Sequence, residues 1–153
     1  MERGKHFDPI RIGRDHIEAF NRGDWDKIRS LLSPNAVYTE PATGRRLQGQ
    51  AQIIEAFKDW RNAFSDLKGD VKNIFAHDKY VIAEVEWKGT HNGTLRGPMG
   101  EIAATFKPCT VRSAEVFELE GEVVKENRNY FDLLTMLQQL GVSLLEKPVT
   151  TAF

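Results

Sequence analysis

The stretch Val81-Ile82-Ala83-Glu84-Val85-Glu86-Trp87-Lys88 decides the fold. Val81, Ala83, Val85 and Trp87 alternate with Ile82, Glu84, Glu86 and Lys88, a period of two that buries one face of an extended strand and leaves the other mostly wet. Residues 75–91 therefore read as two strands joined by a turn at His77-Asp78-Lys79. Further on, Val111, Ser113, Glu115, Phe117 and Leu119 share one strand face, and Glu120-Gly121-Glu122 turns the chain into another strand over 123–131. On the N-terminal side the period changes. Asp8-Pro9 opens a helix that runs to about Asn21, because an aspartate caps free N–H groups and a proline suits the first helical position. Gly23 ends it, and Asp24 caps a second helix in which Trp25, Ile28, Leu31 and Leu32 recur on one side.

Val37 and Tyr38 begin a short strand, which Pro41-Ala42-Thr43-Gly44 breaks into a loop ending near Gly49. Ile53, Ile54, Phe57, Trp60 and Phe64 then form the apolar stripe of a helix laid on a sheet. A glycine-rich loop covers 91–100, and a last helix, 133–140, stops at Gly141. This order predicts an α+β fold: a curved, cone-shaped antiparallel sheet wrapped by the N-terminal helices around an apolar pocket.

A chain of 153 residues makes one domain, 1–153, with 1–7 and 142–153 expected as loose or lid-like ends. Lys+Arg 21 against Asp+Glu 22 leaves no positive field for nucleic acid. The longest apolar runs span a few residues, which excludes a membrane helix. The charged start lacks the apolar core of a secretory signal, and with a lone cysteine, Cys109, a cytoplasmic location is expected. His6, His16, His77 and His91 are dispersed without metal-ligand spacing, so no metal site is expected. No phosphate-binding glycine motif appears, and Cys109 opens an apolar strand where a thiol is inert.

Several runs together resemble the SnoaL-like polyketide cyclases of the nuclear transport factor 2-like superfamily, which also holds the ketosteroid isomerases. They are His16-Ile17-Glu18-Ala19-Phe20-Asn21-Arg22-Gly23-Asp24, Tyr38-Thr39-Glu40-Pro41, Gly49, and Trp60-Arg61-Asn62-Ala63-Phe64-Ser65-Asp66-Leu67. Trp87-Lys88-Gly89-Thr90-His91-Asn92-Gly93, Tyr130-Phe131-Asp132 and Gln138-Gln139-Leu140-Gly141 continue the likeness. The resemblance implies a cystatin-like roll, no cofactor and a homodimer. The chain departs from the family at Ala104-Thr105-Phe106-Lys107-Pro108, where Phe106 reshapes the expected pocket mouth, and at Ser65, where proline is common.

By the same resemblance Asp132 stands at the acid/base aspartate, where one carboxyl with a raised pKa takes and returns a proton. It directly precedes Leu133-Leu134-Thr135, so helix capping is the competing role. Glu40 is similar in position to the isomerases' proton-shuttling aspartate, with a solvated loop carboxylate as the alternative. Glu115 falls near their oxyanion-hole acid, and its strand parity points inward. His16 stands where they carry a tyrosine, which weakens the isomerase reading. His91 continues the odd-numbered face of Trp87 and Gly89 into the cavity, as a proton carrier or as a histidine held structurally. Arg128 and Tyr130 share the parity of Asp132, and the resemblance turns that parity inward. Asp132, His91 and Glu40 are thus the catalytic candidates. The substrate-binding candidates are His16, Tyr38, Trp60, Trp87, Phe106, Glu115, Arg128 and Tyr130.

The resulting expectation is a cofactor-independent acid/base enzyme acting on a small apolar oxygenated molecule by aldol-type ring closure, isomerisation or dehydration. The other reading is a non-catalytic small-molecule-binding or dimeric assembly module of the same fold. Ile82, Glu84, Glu86, Lys88 and Val116 mark the outer sheet face as the dimer surface, an ordinary mixture for an interface.

Overall fold

A computed structural model describes residues 7–97 and 100–142. The expected loose ends at 1–6 and 143–153 lie outside the described residues. Helix α1, Pro9–Arg22, is capped by the Asp8 carboxylate, which accepts from the Ile10 N–H at 3.1 Å, and ends at Gly23 in the left-handed conformation. Helix α2, Trp25–Leu31, is capped by Asp24 and runs directly into strand β1, Leu32–Glu40. Strand β2, Arg45–Gln48, and helix α3, Gln50–Ala63, follow. Strands β3, Lys68–His77, and β4, Tyr80–Thr90, form the expected hairpin. A small hairpin, β5, Leu95–Gly97, and β6, Gly100–Ile102, precedes the long strands β7, Pro108–Glu120, and β8, Val123–Phe131. The chain then enters α4, Leu133–Gln139.

Six strands make one sheet in the order β2-β1-β8-β7-β4-β3. All its pairs are antiparallel except β1 with β8, which places the end of the N-terminal half beside the last strand. Register shifts in β1, β3 and β8 bend the sheet, since an extra residue in one strand coils its neighbours. Helices α1 and α3 cover the concave side. Gly13 lets α1 approach closely: a Cβ there would lie 3.0 Å from Val81 Cγ1 and 3.2 Å from Ile74 Cδ1.

The helix faces and the odd-numbered residues of β4 and β7 join in one core, with Ile17, Ile28, Ile53, Val81, Phe117 and Val124 buried. A second apolar cluster gathers Phe64, Leu95, Cys109, Met136, Leu137 and Leu140 between α3, β7 and α4. Two expectations need correction. The loop between Pro41 and Gly49 contains strand β2, whose sequence Arg45-Arg46-Leu47-Gln48 carries almost no apolar signal because it is an edge strand with alternate residues in water. The glycine-rich loop likewise contains β5 and β6, three residues each.

Candidate active site

Between the concave sheet face and the helices lies a cavity of about 80 Å³. Its walls are aromatic: Phe20 from α1, Phe57, Trp60 and Phe64 from α3 and its end, Trp87 from β4, and Phe131 from β8. The rings meet edge to face, as Trp60 does with Phe131 at 5.6 Å and Phe20 with Trp87 at 5.2 Å, so they form a stiff apolar shell.

The polar groups gather at the sheet. Glu115 is buried, and its Oε2 has no hydrogen-bond partner among the described residues. Burial pushes its carboxyl up to about 7; Asn127 opposes the rise and the charge of Glu40 adds to it. His16 reaches in from α1, wedged against the rings of Phe57 at 5.4 Å and Phe117 at 5.0 Å. Burial lowers it to about 4, so at neutral pH it is an uncharged imidazole, and its Nδ1 also has no partner among the described residues. The Tyr38 hydroxyl donates to Glu40 Oε2 at 2.5 Å and accepts from Asn129 Nδ2 at 3.2 Å. Its own proton and lone pair are thereby committed, and burial raises its pKa well above the usual phenol value. Ser113 accepts from Trp87 Nε1 at 2.9 Å and fixes that ring.

Glu40 sits behind this shell rather than in it. Its Oε2 also accepts from Trp60 Nε1 at 2.6 Å, its Oε1 accepts from the Thr43 hydroxyl at 2.7 Å, and Arg45 Nε lies 3.8 Å away. A fully buried carboxylate with this many donors is held rigidly and holds Tyr38 and Trp60 in turn. Neither Thr43 nor Arg45 was foreseen, since both lie in the stretch read as a loop.

The structure brings His16, Tyr38, Trp60, Trp87 and Glu115 together around the cavity and leaves the other candidates outside. Asp132 is the helix cap: its carboxylate accepts from the Thr135 N–H at 3.2 Å and the Thr135 hydroxyl at 2.6 Å. Those bonds hold it below the usual carboxylate range, and it lies at the surface. Tyr130 is 45% exposed and Phe106 is 72% exposed, so neither lines the cavity. Arg128 pairs with Glu126 at 3.2 Å on the outer sheet face. His91 is buried at the end of β4, where the Thr105 N–H donates to its Nδ1 at 3.2 Å, and burial lowers its pKa. It packs on Phe64 at 5.3 Å, one layer behind the cavity wall.

Ser113 and Asn129 are polar cavity residues that no motif marked. Ser113 was visible in the parity of β7, but Asn129 was not, because the faces of β8 are inverted relative to expectation. Glu115 pairs with Asn129 and Phe117 with Asn127, so the odd residues of β8 face inward. Among the described residues no group of three or more His, Cys, Asp or Glu is placed to hold a metal ion, and no helix is long and apolar enough to cross a membrane.

The sequence profile of the SnoaL-like polyketide cyclases matches residues 10–140. The chain belongs to the SnoaL-like polyketide cyclase family. No curated protein matches it. Among solved structures, this SnoaL-like chain is similar to one from Jannaschia sp. CCS1 described as a candidate SnoaL-like polyketide cyclase. That match has a TM-score of 0.79 at 18% identity, covering 92% of this chain and 99% of that one. It is also similar to IdmH from Streptomyces antibioticus, described as a candidate polyketide cyclase, with a TM-score of 0.76 at 24% identity over 89% and 100% of the two chains. An epoxide hydrolase of M. tuberculosis matches with a TM-score of 0.67 at 18% identity over 86% and 88%. At these identities the likeness is one of fold, the nuclear transport factor 2-like roll that ketosteroid isomerase-like proteins also share.

Proposed function

We propose that this SnoaL-like chain is a single-domain, cofactor-independent acid/base enzyme for a small, uncharged, mostly apolar oxygenated molecule, with Glu115 as its proton carrier. One observation carries the reading: a buried carboxyl at the polar end of an aromatic cavity, pushed up by that burial to about 7 and with one oxygen unpaired among the described residues. A general base works best when its pKa lies near the working pH. The cavity lining holds no Lys or Arg among the described residues, while Glu115 lines it and Glu40 stands behind it, so an anionic substrate is disfavoured.

In this role ionised Glu115 takes a proton from a carbon next to a carbonyl. The electron pair moves onto the carbonyl oxygen, where the neutral His16 ring offers an N–H donor. Glu115 then returns the proton to a different carbon in isomerisation, to the alkoxide formed when the enolate carbon bonds a second carbonyl in ring closure, or to a departing hydroxide in dehydration. Tyr38 and Glu40 keep the wall in place without exchanging protons. The cyclase and epoxide hydrolase descriptions of the fold neighbours are in keeping with small-molecule chemistry of this kind.

The test is a thermal-shift and turnover screen of small uncharged ketones. A pocket ligand at a hundredfold its Kd is expected to stabilise the fold by about 2.7 kcal/mol. For a ketone that is turned over, Glu115→Gln is expected to abolish turnover while Asp132→Asn leaves most of it. Binding without turnover, equally strong in both variants, would favour the binding-module reading. No shift across the panel would remove the ligand site.

A further inference from the structure

The cavity volume of about 80 Å³ is far below the ~300–1,000 Å³ of sites that enclose drug-sized molecules. To be enclosed there, a ligand of more than a few heavy atoms needs one wall to give way, and the walls differ in how they are held. The sheet is hydrogen-bonded along its strands, and α1 and α3 each carry four turns against it. Helix α4 has two turns, Leu133–Gln139, a length that is marginal without support. It covers the cavity with Met136 and turns Leu134, 54% exposed, to the outside.

Its inner face is held by Met136, Leu137 and Leu140 in the second apolar cluster, its start is fixed by its own cap, and its end is clasped to the sheet. At the start, Asp132 takes the Thr135 N–H and hydroxyl. At the end, Gln139 Oε1 accepts from the Thr110 N–H at 2.7 Å and Gln139 Nε2 donates to the Thr110 carbonyl at 2.8 Å. This clasp exists because of the sheet's shape. Strand β7 pairs with β4 as far as Pro108, but β8 joins it only from Ser113 onward, where Ser113 faces Phe131. The edge of β7 at Thr110 therefore has an N–H and a carbonyl that β8 does not pair, and the carboxamide of Gln139 serves both at once, as a strand would.

We propose that α4 is the movable wall of the cavity, hinged at Asp132 and latched by the Gln139 amide on Thr110, and that ligand passes between α4 and β7. Opening breaks these two hydrogen bonds and uncovers Met136, Leu137 and Leu140 of the smaller apolar cluster while the sheet and the larger core stay intact, so it costs less than unfolding. The inference rests on the cavity being the ligand site, but its experiment reads the helix alone, so either one fails without the other.

Cys109 is a built-in reporter, because it is the single cysteine of the chain, is 6% exposed, lines the cavity and precedes the latched residue. Burial pushes its thiol up to about 11, so the closed form holds almost no reactive thiolate. The rate of modification by iodoacetamide, followed by intact mass on the full chain, measures opening. Gln139→Ala is expected to raise that rate roughly tenfold, the worth of two exposed hydrogen bonds, while Ile28→Val, buried in the other core cluster, leaves it near wild type. Thr135→Val, which removes the hydroxyl from the hinge clasp, is expected to accelerate labelling as well and supplies the same comparison if Gln139→Ala does not fold. Equal rates in wild type and the folded clasp variants would overturn the proposal. So would an equal acceleration by Ile28→Val, because labelling would then report global unfolding.

Discussion

Glu115 and His16 bring opposite pH dependences into one buried site. The Glu115 pKa is raised by burial from 4.5 to about 7, so the folded state holds a proton that the unfolded chain releases. Its contribution is complete below pH 4.5 and is lost as pH rises through 7. The His16 pKa is lowered from 6.5 to about 4, so its contribution is complete above pH 6.5 and is lost as pH falls through 4. Each shift corresponds to about 3 kcal/mol, and between pH 4.5 and 6.5 the two slopes nearly cancel. Glu115→Gln is therefore expected to gain about 3 kcal/mol relative to wild type between pH 4.5 and 7.5 in urea unfolding, and His16→Gln is expected to lose its acid sensitivity. A difference that stays constant across that range would contradict burial as the cause. At this scale much was legible: strand parity pointed Glu115 inward, and the likeness to isomerases singled out His16, which lines the cavity. Nothing in the sequence told which carboxylate would be dry. Asp132 and Glu115 have the same chemistry, and the Thr135 hydroxyl and backbone N–H at a surface position hold the first below the usual carboxylate range.

Strand β8 carries the one inversion that changes the site. Next to the turn, Leu119 pairs with Val124, but from Glu118 onward the partner is Glu126, so Lys125 is an extra residue. Were Lys125 paired with Glu118 instead of left out, Glu115 would face Arg128, and the even residues of β8 would fill the cavity with Arg128 and Tyr130. A slip of one residue turns every side chain of a strand to the other face. Deletion of Lys125 removes the extra residue and leaves Glu126 on Glu118 and Asn129 on Glu115, so it is expected to keep Arg128 outside and preserve the near-ultraviolet circular dichroism of the packed aromatic shell. Loss of that signal in the deletion variant would show that Lys125 is not the residue left out of the pairing. The connection after β4 is equally constrained. A Cβ on Gly93 would lie 2.0 Å from the Asn62 carbonyl oxygen, where backbone meets backbone. Gly93→Ala is expected to destabilise the fold by about 2–3 kcal/mol in chemical denaturation, against well under 1 kcal/mol for a substitution in open space.

Over the whole molecule, the outer sheet face carries Phe75, 57% exposed, Ile82, 41% exposed, and Tyr130, 45% exposed, in adjoining rows of paired strands, bordered by Glu84, Glu86 and Arg112. We propose this face as the homodimer surface. Light scattering is expected to give twice 17.4 kDa for the native chain and 17.4 kDa for Ile82→Glu, and a native mass of 17.4 kDa at micromolar concentration would withdraw the dimer. The fold itself was readable because capping residues and apolar period separate helix from strand: α1 follows from Asp8-Pro9 and Gly23, and α2, α3, the hairpin of β3 and β4, and the inner face of β7 follow from the period. Edge strands β2, β5 and β6 escaped because half of each strand is in water and none repeats long enough to show a period. By itself, then, the sequence determined the α+β class, the aromatic content of a pocket and the inward face of Glu115, since these depend on local spacing. The tertiary structure alone decided that β8 turns Asn129 rather than Arg128 inward, that Asp132 caps a helix, and that Glu40 is locked behind Tyr38. Each of those depends on a pairing partner distant in the chain or on exclusion of water, and neither is encoded in the spacing of residues along it.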